Sequence, residues 1–528
     1  MSIAKPLVLI VLLLSALPAQ LSPARLMPAE TPLYVVVDEP ARLLSRLKRG
    51  GLFASFSDLL PDEVVEMIDH LETLPVTRAA LGYGPRRLFQ PPLLILALET
   101  NDAATLRDAL PVLLDESGVA FTETGRFFVL TLGRRSKTLM EKTMAGDRRS
   151  LEESRSFQRF QEEGRGAALG FLADLKTLRT RAASERILEQ DGAALFLLAP
   201  LLHHLATAAR VHGFLSVEDG LRLEATFEGP SLPSRFAFAG SSAGGAPCLA
   251  SPPGSMLRLS LRRDLAAFWS RRKEIVPPSG QADLAEFQNQ IALFTGGLPV
   301  EEAAAALGSV MDIHLALLPT RNSRARPPYP TGALVIPMEE TGGFGTELQL
   351  AFQTLLGVIN ADRAQNARPR LLIETTRHRG VLLQTAGFPP SQLPEPDDAR
   401  LQVRPSMAVV RGRVIIGSHE SIVRALVDAA LDGRFQDRPP GDSLHIEGRR
   451  AHEQLSRLLD LFVARTVLDE GIPRAEAHAR LSRILSALEG IVSLDLSFSG
   501  GERGRLMIDV QAPGLFFAGK GTREGRPR

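Results

Sequence analysis

The sequence predicts an α+β fold made of two tandem related units, each with a mainly antiparallel sheet packed by helices. First, the segment 28–47 (PAETPLYVVVDEPARLLSRL) aligns without a gap with 252–271 (PPGSMLRLSLRRDLAAFWSR), 224 positions later. Second, apolar residues alternate with polar ones in several short segments, which is typical of half-buried strands. Third, hairpin-like pairs of strands occur beside helical segments, which favours an antiparallel α+β sheet over a regular βαβ series.

The first unit is predicted to extend from about residue 27 to residue 230. Alternating apolar residues indicate its opening and closing strands, and a proline followed by two acids indicates the first turn of a helix. In chain order, its predicted elements are the strand 33–37, the helix 61–71, the strand 93–98, the strand 127–132 with a helix directly after it, and the strand 221–227.

The second unit is predicted to extend from about residue 251 to residue 514. The same patterns recur in it, and one stretch, LLIETTRHRGVLLQTA, reads as a hairpin. Its predicted elements are the strand 257–261, a strand at either 313–318 or 333–336, the hairpin 371–386, the strand 414–416, the helix 419–431, the helix 481–488 that Gly490 ends, and the strand 504–507.

The offset between the two units grows along the chain. Ala80-Leu81-Gly82 aligns with Ala306-Leu307-Gly308 at an offset of 226, whereas Gly220 and Gly504 lie 284 positions apart. The difference, 284 minus 226, assigns about 58 additional residues to the second unit. Surface loops tolerate insertions best. We therefore expect the additional residues in two polar, proline-rich stretches, 321–330 and 387–400.

A stretch rich in Gly, Ser, Ala and Pro, 240–255, separates the units and is predicted to be an interdomain linker. It contains Cys248, which is the only cysteine of the chain. A single cysteine cannot form an internal disulfide. No histidine lies near it in sequence to lower the pKa of its thiol, so we interpret Cys248 as an incidental loop thiol and not as a nucleophile.

Residues 1–24 have the parts of a secretory signal peptide. Lys5 provides a short positive region, the segment 6–17 is almost entirely apolar, and Ser22-Pro23-Ala24 places small residues before a predicted cut at Arg25. The apolar run is about a dozen residues, shorter than the roughly 20 that cross a bilayer as a helix. An uncleaved anchor is the alternative. Export to the periplasm or cell surface follows in either case, tethered if the segment is not cleaved.

The composition excludes some classes of partner. The 61 Lys and Arg residues balance 60 Asp and Glu residues, so the chain lacks the basic excess by which proteins neutralise nucleic-acid phosphates. Aromatic residues are only 5% of the chain, which argues against stacking platforms for sugars or single-stranded nucleic acid. No second long apolar stretch occurs, so we expect no transmembrane span in the mature chain, and the residues 515–528 are predicted to be a flexible basic tail.

The opening LMPAETPLYVVVDEPARLLSRL after an apolar leader, and the later strand DGLRLEATF, resemble a group of large exported bacterial proteins classed as a domain of unknown function. The resemblance covers most of the mature chain and consists of an order of elements and a few apolar segments. It implies export and a repeated α+β build. It implies no activity and no catalytic or binding residues.

Two short motifs resemble those of serine hydrolases. Gly240-Ser241-Ser242-Ala243-Gly244 matches a nucleophile elbow, but that elbow must lead into a helix, and the prolines that follow prevent one. Gly441-Asp442-Ser443-Leu444 matches the motif of GDSL-type lipases, but it occurs late in the chain without a downstream Asp-x-x-His. We interpret the first as linker and the second as a turn before a strand.

A third motif, at 514–521, resembles a phosphate-binding loop. Gly521 stands where the magnesium-binding Ser or Thr should follow the lysine, and too few residues remain for the helix that such a loop requires. Metal-site patterns are also incomplete. His452-Glu453 is followed by Ser456 where a zincin helix needs its second histidine, and the adjacent His203 and His204 diverge by about 100° on a helix. We therefore expect no catalytic, cofactor-binding or metal-binding residues and no cofactor.

Two functional hypotheses remain. The first is an exported non-catalytic protein that binds a ligand or an envelope protein, and it predicts an apolar groove without convergent ionisable groups. The second is an exported hydrolase with its site in the cleft between the units. It predicts that at least two of five residues lie within hydrogen-bonding distance of each other in a pocket. These residues are His378, Asp397, His445, His452 and Glu453.

Overall fold

A computed structural model provides the fold. It describes residues 22–49, 72–85, 92–113, 119–164, 166–180, 187, 192–218, 220–239, 247–276, 281–282, 284–286, 288, 299–317, 329–338, 343–389, 391, 403–501 and 503–512. Several sequence predictions lie outside these residues. They are the apolar leader up to residue 21, the helix 61–71, most of the two loops proposed for the insertion, and the tail.

In the described part of the chain, eighteen strands form one sheet that occurs together with many helices, and the α+β class is therefore confirmed. The strands of its first half are β1 (Leu33–Asp38), β2 (Val76–Gly84), β3 (Leu93–Thr100), β4 (Val119–Thr124), β5 (Phe127–Leu132), β6 (Leu169–Asp174), β7 (Arg210–Val217) and β8 (Gly220–Glu228). Those of its second half are β10 (Ser255–Arg262), β11 (Val310–Ala316), β12 (Thr331–Pro337), β13 (Leu372–His378), β14 (Val381–Gly387), β15 (Ser406–Val409), β16 (Arg413–Gly417), β18 (Asp442–Glu447), β19 (Ser493–Ser499) and β20 (Arg503–Gln511). The short strands β9 (Cys248–Leu249) and β17 (Phe435–Gln436) pair separately.

Antiparallel pairing joins all neighbouring strands of the sheet. Across the first half, the order is β4, β5, β3, β2, β1, β6, β7 and β8. Strand β8 then pairs with β20, and the order continues as β19, β18, β10, β11, β12, β16, β15, β14 and β13. The sheet is antiparallel in both halves, as predicted, and the pairing of β8 with β20 joins the halves into one sheet.

The junction between β8 and β20 is symmetrical along its length. Both strands have nine residues and pair from Gly220 opposite Gln511 to Glu228 opposite Arg503, with Glu224 opposite Met507 at the centre. The carboxylate of Glu224 accepts from two flanking arginines that lie one on each strand. These are Arg222, at 2.7 Å, and Arg505, at 2.8 Å.

The central strands follow the same order in both halves. The run β5, β3, β2, β1, β6, β7, β8 corresponds position by position to β16, β12, β11, β10, β18, β19, β20. The hairpin β13–β14 has no counterpart among the described residues of the first half, which agrees with a longer second unit. The internal duplication stays a prediction, and the shared strand order is consistent with it.

One of the proposed sequence correspondences is wrong. Ala80-Leu81-Gly82 lies within β2, whereas Ala306 ends a helix and Leu307 and Gly308 precede β11. The strand register shows the better alignment. Leu81 pairs with Val35 of β1, and the residue that pairs with Leu259 of β10 is Ile313. The local offset is therefore 313 minus 81, which is 232 and not 226.

Helices cover both faces of the sheet. In the first half they are α1 (Pro40–Arg49), α2 (Ala103–Leu113), α3 (Gly133–Met144), α4 (Arg155–Glu163), α5 (Leu175–Leu178) and α6 (Gly192–Thr207). In the second they are α7 (Leu265–Ser270), α8 (Arg272–Ile275), α9 (Val300–Ala306), α10 (Phe344–Gln365), α11 (Glu420–Leu431), α12 (Gly448–Arg457), α13 (Leu459–Glu470) and α14 (Arg474–Glu489). Within the described part of the chain, no helix is long and apolar enough to cross a membrane.

Helix α11 shows how the sequence determines one of these elements. The imidazole of His419 caps its first turn by accepting from the backbone N–H of Ser421 at 3.1 Å. Apolar residues recur at helical spacing on the face toward β12, β15 and β16. They are Ile422, Val423, Leu426, Val427 and Ala430, all fully buried in one core cluster.

The chain enters the first half through a buried turn. Pro23–Leu26 forms one turn of 3-10 helix that Ser22 caps, and Ala24, Leu26 and Met27 belong to the main core cluster. Met27 requires a glycine opposite it, because a Cβ on Gly82 would lie 2.5 Å from the Met27 sulfur. The predicted cut before Arg25 thus falls inside a packed turn, and removal of residues up to 24 would take Ala24 out of the core.

The predicted linker is only partly a linker. Its residues 240–246 lie outside the described residues, but Cys248 and Leu249 form the buried strand β9 against β17. The interpretation of Cys248 as a loop thiol is therefore wrong. Burial raises the pKa of its thiol, although the nearby Arg258 lowers it, so the sulfur belongs to a packed region and stays protonated.

A fully buried arginine joins the two halves. Arg263, which follows β10, forms a two-pronged ion pair with Asp442 at 2.9 and 2.7 Å. Its remaining donors reach the backbone carbonyls of Phe196 and Leu197 in α6, each at 2.5 Å. Because α6 belongs to the first half, this one side chain ties both halves together through satisfied hydrogen bonds.

Candidate functional site

The candidate site is a cleft at one end of β1, in the first half of the sheet. It consists of a pocket of about 310 Å³ and an adjoining polar cleft of about 580 Å³. The two cavities share four wall residues, which are Asp38, Arg78, Gly166 and Ala167. A third cavity, of about 390 Å³ beside Arg135 and Arg148, is also lined by first-half residues. Together the pocket and the polar cleft have the size of a small-molecule site.

Aromatic rings form the pocket walls. Tyr34 of β1 meets the Phe157 ring edge-on with their centroids 5.4 Å apart, and it meets Phe160 in the same way at 6.2 Å. Phe160 in turn stacks on Phe214 of β7 at 5.0 Å. Phe157 and Phe160 are three residues apart on α4, so they project from the same face of that helix.

Two glycines make room for these rings. A Cβ on Gly164 would lie 2.1 Å from the ring of Phe214, and a Cβ on Gly170 would lie 2.6 Å from the ring of Phe160. Neither distance is tolerable, so any larger residue would displace a ring. The shape of the pocket thus depends on two glycines that belong to no recognisable sequence motif.

An ion-pair network lies between the pocket and the polar cleft. The guanidinium of Arg78 contacts the Asp38 carboxylate and lies 3.6 Å from Glu99, which Arg126 contacts at 2.7 Å. Burial is the largest single influence and lowers the pKa of Arg78, but the hydrogen bond to Asp38 and the negative charges of Asp38 and Glu99 together outweigh burial, so the net shift is upward. Burial also raises the pKa of Tyr34 far above its ordinary value, so the phenol stays protonated. The network is therefore a rim of paired charges between the two cavities.

Helix α1 provides two of the arginines of the polar cleft. Its Arg42 contacts Glu39 at 2.7 Å, and Nη1 of its Arg46 donates to the backbone carbonyl of Val217 at 2.6 Å. Glu39, between β1 and α1, has a φ of 48°, a left-handed conformation that is unusual for a residue with a side chain. Such strain persists only where the surroundings impose it, and it often marks functional positions.

Opposite charges balance along the cleft. Three carboxylates, of Asp38, Glu39 and Glu218, line it together with three arginines, Arg42, Arg46 and Arg78. A polyanion or polycation would meet as much repulsion as attraction there. This cleft therefore does not have the purely apolar character that the first hypothesis expects. An aromatic pocket opens instead into a charged but balanced cleft.

The corresponding face of the second half has different chemistry. In the strand register, Tyr34 stands between Gly82 and Leu172, and the residue at its place, Arg258, stands between His314 and His445. Asp312 and Arg438 form a buried two-pronged ion pair on this face, at 2.8 and 2.9 Å. This face is therefore filled with paired charges where the first half has rings and space.

The five residues of the hydrolase hypothesis do not come together among the described residues. His445 contacts Asp495 at 2.7 Å, and this hydrogen bond raises the pKa of His445 despite its burial. His452 donates to the carbonyl of Leu485, and Glu453 pairs only with Arg449, at 3.8 Å. Among the hydrogen bonds of the described residues, none joins His445 to His452.

The other two candidates are also apart. His378, in β13, contacts Asp428 of α11 at 2.8 Å and Arg424 at 3.3 Å. Asp397 lies outside the described residues. The described part of the chain thus contains no pair from the hydrolase hypothesis within hydrogen-bonding distance.

The adjacent histidines of α6 have separate environments. His203 bonds to Thr207, whereas both ring nitrogens of His204 lack a hydrogen-bond partner among the described residues. Burial lowers the pKa of His204 to about 4. In the described residues, no group of three or more His, Cys, Asp or Glu side chains has the arrangement of a metal site.

The motifs that resemble hydrolase or nucleotide sites have ordinary structural contexts where they are described. Gly441, with a φ of 83°, forms the turn before β18, and Ser443 is buried in that strand opposite Ser260. The segment 240–244 and the loop-like motif at 514–521 lie outside the described residues. Sequence reasoning missed the residues that form the cleft, above all Phe157, Phe160 and Arg46.

No family model matches this chain, and no curated protein matches its sequence. Among solved structures, two crystal forms of TP0453 show some likeness. Form III is 9% identical with a TM-score of 0.23 and covers 40% of this chain and 80% of TP0453. Form I is 10% identical with a TM-score of 0.24 and covers 42% and 83%. Likeness of this degree carries no argument about fold or function.

Proposed function

We propose that this chain is an exported, non-catalytic binding protein of the cell envelope, and that its ligand occupies the cleft of the first half. The observation that carries the proposal is the aromatic pocket that opens into a polar cleft beside the fixed Asp38–Arg78 pair. A preformed cavity with an apolar interior and a few placed polar groups is what ligand-binding sites have in common.

The chemistry of the cleft favours binding over catalysis. The carboxylates of Asp38 and Glu39 each contact an arginine. A general base must take up a proton, and a carboxylate in an ion pair with arginine loses that pairing when it does so. The phenol of Tyr34, with its raised pKa, is equally unsuited to proton abstraction. The apolar leader and the resemblance to exported bacterial proteins support export.

A fluorescent probe with a naphthalene ring and a sulfonate, 1-anilinonaphthalene-8-sulfonate, tests the binding proposal. Val36 lines the pocket beside the rings, so Val36→Trp should fill it and weaken binding of the probe at least tenfold. The matched control is Leu350→Ala on α10, which removes an apolar side chain that is 60% exposed and outside the cleft. Equal binding by the parent protein and Val36→Trp, with circular dichroism unchanged, would refute a ligand site here.

Localisation needs its own experiment. The full-length chain, expressed in a Gram-negative host, should appear in the periplasmic or membrane fraction, and a version without residues 1–21 should stay in the cytoplasm. Equal distribution of the two versions would contradict the proposal of export.

A further inference from the structure

We infer that the ligand of the cleft is a zwitterion of the amino acid or short peptide class with a large apolar side chain. This inference rests on the proposed function and adds the chemical class of the ligand. Two observations support it: two charged side chains in the cleft lack a charged partner among the described residues, and a ring-lined pocket adjoins the cleft.

The unpaired charges belong to Arg46 and Glu218. Arg78 contacts Asp38, and Arg42 contacts Glu39, so two of the three arginines of the cleft already have carboxylate partners. The only polar contact of Arg46 within the described structure is the carbonyl of Val217, and no ion pair between described residues engages Glu218. One cationic and one anionic group therefore face the cleft without a charged partner.

These two charges lie at the same end of the cleft. Arg46 donates to the carbonyl of Val217, the residue that directly precedes Glu218. A ligand that satisfies both groups must present a carboxylate to Arg46 and a cation to Glu218 within a short span. The ammonium and carboxylate groups of an amino acid or short peptide meet this requirement, and guanidinium–carboxylate pairs are strong hydrogen bonds.

The pocket determines the remainder of the ligand. The walls Phe157, Phe160 and Phe214 favour an aromatic or large aliphatic group, because ring contacts add stabilisation to apolar burial. Tyr34 and Phe157, both almost fully buried, belong to the same ring-lined wall. Asp38 and Arg78 line both the pocket and the polar cleft, so the carboxylate can accept a hydrogen bond from a peptide group of the ligand and the guanidinium can donate one.

Calorimetric titration with capped and uncapped ligands tests this inference. The probes are L-phenylalanine, its N-acetyl derivative and its amide, with the peptide Ala-Phe-Ala and its doubly capped form as a longer pair. The parent protein should bind each free zwitterion about tenfold more tightly than its capped forms, because each cap removes one charged contact.

Two variants assign each charge to its partner. Arg46→Gln should abolish the preference for the free acid over the amide but keep the preference for the free amine over the acetylated form. Glu218→Gln should do the reverse. The matched control is Arg107→Gln, which breaks an exposed ion pair with Glu123 outside the cleft and should change neither preference.

The outcomes separate the inference from the proposed function. Equal affinity of the parent protein for capped and free compounds would overturn the inference that the ligand is a zwitterion. An equal loss of affinity for the free acid and the amide in Arg46→Gln would do the same. In both cases the proposal of ligand binding would stand. Binding of the naphthalene probe without binding of any amino acid or peptide would lead to the same conclusion. If neither the probe nor the zwitterions bind, the proposed function fails together with the inference.

Discussion

The buried imidazole of His314 should make the protein sensitive to mild acid. His314 lies on β11, is fully buried, and has no hydrogen-bond partner among the described residues for either ring nitrogen. Its pKa is lowered from 6.5 to about 4, mainly by burial; Asp312 acts in the opposite direction, and Arg258 and Arg438 contribute to the lowering. The side chain is therefore neutral in the folded protein at neutral pH.

The sign of the effect follows from proton linkage. The folded state binds the proton at a pKa of about 4 and the unfolded state at 6.5, so the unfolded state takes up the proton first as the pH falls. Stability is then full above about pH 6.5 and decreases as the pH falls toward 4. A shift of this size corresponds to about 3 kcal/mol in total, of which about 2 kcal/mol is lost between pH 7 and pH 5.

Replacement of His314 by leucine removes the titrating group and keeps an apolar side chain in its place. Urea unfolding of both proteins at pH 7 and pH 5 should show that His314→Leu loses about 2 kcal/mol less than the parent over this interval. The exposed His478 provides the control, because His478→Leu should keep the parent pH dependence. An unchanged pH dependence in His314→Leu would mean that the imidazole is not buried and neutral in the native state.

Two further predictions concern the core. Arg263→Met should cost about 3–5 kcal/mol in urea unfolding because it leaves Asp442 without its partner, and the double variant with Asp442→Leu should be clearly more stable than the single one. Equal stabilities of the two would contradict this. Ala24→Asp should cost at least ~3 kcal/mol, since Ala24 is fully buried. N-terminal sequencing of the exported protein should find Ser22 to Ala24 retained, and an N-terminus at Arg25 would contradict their role in the core.

Local patterns predicted many individual elements correctly. The alternation at 33–37 corresponds to β1, and the hairpin at 371–386 corresponds to β13 and β14. The sequence left two alternatives for one strand, and both segments are strands, β11 and β12. The predicted helix 419–431 is α11, which begins one residue later because His419 caps it. These features depend on residues close in sequence, where the period of apolar side chains directly reflects which face is buried.

The cleft was not predictable in the same way. Tyr34, Phe160 and Phe214 come from three distant parts of the chain, and only the pairing of β1 with β6 and of β6 with β7 brings them together. The fusion of the halves also depends on a long-range pairing, between β8 and β20. At Cys248, the local sequence predicted the wrong structure. Its neighbourhood is rich in linker residues, yet pairing with β17 makes it a buried strand.

The shared strand order allows the same position to be compared in the two halves. At the equivalent place in the register, the first half has Tyr34 beside Gly82, and the second has Arg258 beside His314. A ring next to a glycine leaves room that other rings can line, whereas the second half fills the same face with the paired charges of Asp312 and Arg438. Desolvated ion pairs are costly to separate, so that face resists opening to a ligand. If the halves arose by duplication, the first half kept room for a ligand on this face. In the second half, ion-paired side chains fill the same face, although its chain is longer.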